Sequence, residues 1–187
     1  EAYLLAADGR APEQSTELRR RAAEQFLLSG HVSLGMASLR DLLLQIGMRF
    51  PDTSFRALLS ILWVRTWLLF RNHRFVERAA EDIRPIERFR LETCHSAALG
   101  LTATDTIRGL DFYGRSYRLA LELGDRSKIA QLLATEAINH IASNGRGQRK
   151  AFKTVRRARA LAESTGDPHA RGVVIYAEGM GRYLLGQ

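Results

Sequence analysis

Several features that would brace or anchor a chain are scarce in this one. Cys94 is its sole cysteine, which excludes an internal disulfide framework and fits a reducing compartment, so a cytoplasmic location is expected. Long apolar runs are missing as well. The most apolar stretch, Ala57 to Phe70, is interrupted by Arg65 and falls short of the roughly 18 uninterrupted apolar residues that a membrane span requires. No segment keeps up a period-two alternation between hairpin turns, which excludes a substantial sheet, whereas helical periodicity runs through nearly the whole chain. The fold class is therefore all-α.

Lysine is scarce too: of 28 basic residues only Lys128, Lys150 and Lys153 are lysine, and the formal net charge is +8. Acidic residues are missing altogether between Glu136 and Glu163. Arg146, Arg149, Lys150, Lys153, Arg156 and Arg157 fall in that gap, as does Arg159. This local imbalance suits phosphate, anionic lipid or an acidic protein surface, and it marks these six residues as the candidate surface for an anionic partner. Nucleic acid is disfavoured, because base stacking calls for aromatics interleaved among the cations and Phe152 stands alone there.

What the chain does have is one short pattern written twice. Gly109, Tyr113, Ser116, Gly124 and Asp125 return in kind as Ala151, Val155, Ala158, Gly166 and Asp167, each 42 residues later (151 − 109 = 42). Small, bulky, small at i, i+4 and i+7 puts three side chains on one helical face, where the small ones admit a close neighbour. A glycine that tolerates left-handed backbone then ends the helix, and an aspartate caps the next. Gly35, Leu39 and Leu42 carry a related spacing earlier. The pattern predicts an α-solenoid of four to five antiparallel helical hairpins, each burying its apolar face on the next.

Expected helices run from Pro12 to about Ser29, from about Val32 to Ile46, and from an Asp52 or Thr53 cap to about Arg71. Residues 73–90 read as a degenerate second helix broken by Pro85. Further helices are expected at about 86–102, 105–123, 126–143, 148–165 and 168–185, with Pro168 in a first turn. The hairpins then cover about 12–47, 52–90, 86–123, 126–165 and a truncated 168–187. Turns at Gly30, Asn72, Ala103, Gly145 and Gly186 give intervals of 42, 31, 42 and 41. With Glu rather than Met at position 1 and a last hairpin cut short, the chain reads as one helical-repeat segment of a larger protein. Bare apolar ends on such a segment favour self-association.

The run Glu17-Leu18-Arg19-Arg20-Arg21-Ala22-Ala23-Glu24-Gln25-Phe26-Leu27-Leu28-Ser29-Gly30-His31 resembles the opening of a helical-repeat region of large bacterial signalling proteins. Thr104-Asp105-Thr106-Ile107-Arg108-Gly109-Leu110-Asp111-Phe112 and Tyr183-Leu184-Leu185-Gly186 are similar to other parts of it. Those proteins join a serine/threonine protein kinase domain to a STAND-type ATPase module and then to degenerate tetratricopeptide-like repeats. The resemblance implies an ATP-binding parent, with this piece as a protein-binding sensor or scaffold in signal transduction. An alternative parent is a STAND-type ATPase transcription regulator, with the repeats sensing an effector. No catalytic residue carries over: the chain has no Gly-x-x-x-x-Gly-Lys loop, kinase glycine-rich loop, His-Arg-Asp loop or Asp-Phe-Gly site. The 34-residue tetratricopeptide period is also missing.

Other constellations read as structural. Glu92 and His95 stand at i and i+3, and Glu136 and His140 at i and i+4, whereas a di-iron bundle needs two Glu-x-x-His pairs and two more inward carboxylates. Cys94 beside His95 does not make a nucleophile, since consecutive helical side chains point about 100° apart; it reads as a buried thiol. His31, His73 and His169 fall at helix starts or turns. Trp63, Trp67 and Phe70 form a stripe that reads as core on the most apolar helix, taken as a central wall. Phe152, Val155, Ala158 and Ala162 read as the core stripe of the basic helix. No catalytic residue, cofactor or metal ligand is assigned.

Overall fold

A computed structural model describes residues 2–7, 9–71, 74–78, 80–142 and 148–186. Among these, every α-helix or 3-10 turn is accounted for by α1 (Ala2–Ala7), α2 (Pro12–Leu28), α3 (Val32–Gln45), α4 (Ser54–Arg71), a 3-10 turn at Ala80–Asp82, α5 (Pro85–Leu101), α6 (Thr106–Leu123), α7 (Arg126–Ala142), α8 (Gln148–Thr165) and α9 (Pro168–Leu184), with no strand. No helix among the described residues is long and apolar enough to cross a membrane.

Local chemistry sets these boundaries. Thr53 accepts from the Arg56 amide at 3.2 Å and Asp125 from the Lys128 amide at 2.9 Å, while Asp167 accepts from the His169 amide at 2.8 Å. Each satisfies an otherwise unpaired amide at a helix start. Gly124 and Gly166, the repeated helix-ending glycines, both have positive φ, +69° and +71°. The degenerate helix expected over 73–90 is not formed: residues 74–78 are irregular, a single 3-10 turn follows, and Pro85 opens α5 instead of breaking a helix. Its fixed φ and missing N–H suit a first turn, and the Glu87 carboxylate accepts from the Arg84 amide at 3.3 Å.

The chain packs as two compact units, residues 1–74 with 81–119 and residues 75–80 with 120–187. In the first, α2 packs on α1, α3 and α5. Leu27 is its knob: a Cβ added at Gly35 would stand 2.7 Å from the Leu27 side chain, and one at Gly100 2.7 Å from Leu27 Cβ. Arginines tie down the loop after α3. Arg90 donates to the Ile46 carbonyl (2.8 Å), Arg115 to that of Arg49 (2.6 Å), and Arg108 to those of Pro51 and Asp52 (both 2.9 Å). Phe50 anchors this loop, its ring 6.1 Å from that of Phe112 and covered by the guanidinium groups of Arg40 and Arg108.

Helix α4 differs from its expected role. Ala57, Val64 and Leu68 are buried, and Val64 meets Gly114 of α6. Trp63 and Phe70 are exposed and Trp67 is only partly covered, so that stripe is not core. A helix apolar all round offers no periodic contrast to say which stripe turns inward. Small Gly114 opposite Val64 lets that side approach; the aromatic side stays largely exposed, with only the Arg118 and Arg71 guanidinium groups over the Trp63 and Trp67 rings.

In the second unit, α7 packs on both α8 and α9, which also pack on each other. Segment 75–78 lies over the end of α6, where a Cβ on Gly124 would overlap the Val76 carbonyl oxygen and stand 2.9 Å from the Arg78 amide. The glycine is thus required twice, by its φ and by this close approach. Arg126 at the start of α7 pairs with Glu77 (3.0 Å) and donates to Ser164 (2.6 Å), and Ser127 bonds Asp167.

Candidate functional site

The candidate site grows from the division of roles on α8. Ala151, Val155, Ala158 and Ala162 are buried at i, i+4, i+7 and i+11 and hold the helix to its neighbours. Arg149, Lys150, Lys153, Arg156 and Arg157 are exposed on the remaining faces. Arg146 lies outside the described residues. Phe152 is half-exposed, not core; the stripe begins one residue earlier, at Ala151, because the small residue is the one that fits against the neighbouring helices.

All nine repeat positions, Gly35, Leu39, Leu42, Gly109, Tyr113, Ser116, Ala151, Val155 and Ala158, are buried. Helix α9 carries the same order once more in Ala170, Val174 and Ala177, also buried. Reading only the 42-residue offset misses this copy, whose spacing from Ala151 is 19.

Between α8 and α9 runs an open groove with two adjoining hollows of about 460 and 410 Å³. Its floor is apolar: Ile141, Ala151, Val155, Ala177 and Gly181 in one hollow, Ala162 and Val174 in the other. The α8 wall presents Phe152, Arg156, Arg159 and Glu163; the α9 wall presents Arg171, Ile175, Glu178 and Arg182. Arg159 and Glu178 form an ion pair across the groove where the two hollows meet. Four arginines against two glutamates leave the walls cationic. Arg156 and Arg182 make no ion pair among the described residues, so their charge is available to a ligand.

The residues that sequence reasoning missed are on α9. Arg171, Ile175, Glu178 and Arg182 repeat at i, i+4, i+7 and i+11, one position after the buried Ala170, Val174, Ala177 and Gly181. That flanking register was readable; that it faces Arg156 required the packing.

Burial pushes the Cys94 thiol up to about 12, so almost none is thiolate near neutral pH and it is no nucleophile. Glu136 lies 3.7 Å from His140. No group of three or more His, Cys, Asp or Glu among the described residues is arranged to hold a metal ion. The Ser127 hydroxyl, with the His169 and Ala170 amides, holds the Asp167 carboxyl below the usual range, as its capping role requires. In comparison with known proteins, no family model, curated protein or solved structure matches the chain.

Proposed function

We propose that this chain is a non-catalytic protein-interaction segment, a right-handed α-solenoid of helical hairpins, within a larger bacterial signalling protein that carries a serine/threonine kinase and an ATPase module. Its working surface is the α8–α9 groove, and the ligand is an acidic amphipathic helix from another domain or a cytoplasmic partner. The observation that carries this is the pair Arg156 and Arg182, on opposite walls and without ion pairs among the described residues, above a floor of Ala151, Val155, Ala177 and Gly181. An apolar stripe would seat on that floor while its carboxylates meet the arginine forks, the usual helix-in-groove mode with charge-assisted hydrogen bonds. The repeated burial of small and bulky positions in α6, α8 and α9 supports the solenoid reading. The segment transfers no phosphate by itself.

The test is binding of a fluorescent helical peptide with leucines on one face and glutamates beside them. Arg156→Glu and Arg182→Glu should each weaken it at least tenfold, since charge-assisted contacts contribute about 1.5–3 kcal/mol each. Arg149→Glu, outside the groove lining, should change it little. Equal losses from all three would reduce the groove to a general charge effect, and no binding by the wild type would overturn the proposal.

A further inference from the structure

Helix α4 carries two apolar stripes and uses only one of them internally. Opposite the buried Ala57, Val64 and Leu68, the side chains of Phe55, Leu59, Leu62, Thr66 and Leu69 follow one another at intervals of four, three, four and three. That is the a/d spacing of a coiled-coil seam, and it selects a helix as the partner. Leu58, Trp63 and Phe70 flank it. Phe55 is 68% exposed, Leu62 65%, Leu69 76% and Phe70 88%. The seam itself contains no charged residue.

We infer that this face pairs with the same face of a second copy of the chain, antiparallel, about a two-fold axis near Leu62. The order is close to a palindrome: with Leu62 at the centre, Phe55 of one copy comes opposite Leu69 of the other, with Phe70 beside it, and Leu62 meets its own copy. An isologous interface requires such self-complementarity. Charge at the helix ends disfavours the parallel arrangement, which sets exposed Arg74 against its own copy and aligns the two helix dipoles. Asp52, before the first turn, is already paired within the chain with Arg40 (3.4 Å) and Arg56 (3.1 Å). The area is also sufficient. A phenylalanine or tryptophan presents about 150–250 Å², so three of them with four leucines, each about half or more exposed, approach the roughly 800 Å² per partner of a standard interface. That exceeds the roughly 300–600 Å² of the largest apolar patch on a typical monomer.

Sedimentation equilibrium of the full chain at rising concentration should show monomer and dimer. Leu62→Glu should weaken the dimer at least tenfold with helicity unchanged, because Leu62 contributes to no core. Leu44→Glu, at an equally exposed leucine on α3, should leave it intact. Oxidative crosslinking reads the orientation, with buried native Cys94 as a silent background. Leu62→Cys should couple to itself, and Phe55→Cys should couple to Leu69→Cys in a mixture but not to itself. A clean monomer throughout overturns the inference, as does an association that Leu62→Glu leaves unchanged or that Leu44→Glu abolishes equally. Self-coupling of Phe55→Cys would replace the antiparallel arrangement with a parallel one and overturn it too.

Discussion

Asp111 on α6 is fully buried, with Arg115 in an ion pair at 2.7 Å and Ser60 as a further hydrogen-bond partner. Burial raises its pKa above the ordinary 3.8, outweighing the opposite pull of Arg115 and Ser60. The folded chain therefore keeps this proton at pH values where the unfolded chain has released it. By linkage, the contribution of Asp111 to stability is greatest below pH 3.8 and declines as pH rises from there through the raised value. Urea unfolding at a series of pH values checks the sign: the stability of wild type minus that of Asp111→Asn should fall as pH rises through this window. A difference that grows with pH would mean that the arginine dominates and the carboxyl is depressed. Asp111 gave no warning in the sequence, because one acidic residue four before an arginine on an amphipathic helix usually lies at the surface.

Contact between elements turns on residues without side chains. Leu27 of α2 fills the space left by Gly35 of α3 and Gly100 of α5, both too close for a methyl group. Gly100→Ala should destabilise by up to about 2 kcal/mol, since overpacking costs about 1–3 and the better helix propensity of alanine offsets about 1 of it. In a Leu27→Ala background the same change should be neutral or stabilising. Chemical denaturation of the four proteins of this cycle measures the coupling, and strict additivity would remove Leu27 from its role. Gly35 was legible as a contact position from its spacing to Leu39 and Leu42. Gly100 was not, because only the arrival of α2 makes the space beside it scarce. Helix α4 shows the converse: its apolar residues were plain in the sequence, yet nothing in an all-round apolar helix separates the stripe that packs on α6 from the one left bare.

At the scale of the whole molecule, the formal charge of +8 acts over distances that single contacts do not reach. An acidic peptide should associate faster at low ionic strength, with the rate falling as salt shortens the Debye length from about 30 Å at 0.01 M to about 8 Å at 0.15 M. Stopped-flow association at graded salt checks this, and a salt-independent on-rate would mean that steering plays no part. Arg156→Glu should change the dissociation rate more than the association rate, because the net charge shifts by only two whereas a groove contact is lost. Part of the arginine excess serves the fold instead. Arg90, Arg108 and Arg115 hold carbonyls of the loop after α3, and the several donors on a planar fork suit this better than a lysine ammonium.

The amino-acid sequence on its own determined that the regular elements are helices, where most of them begin and end, and that the repeated small-bulky-small positions face inward. These follow from interactions within a few residues: caps, glycine turns and a 3.6-residue period. Tertiary structure alone decided that α9 completes the cationic groove, that residues 74–78 bridge without a helix, and that the outer stripe of α4 stays uncovered. Each of these depends on which surfaces meet across long separations in the chain, and a periodic pattern names a face without naming its partner.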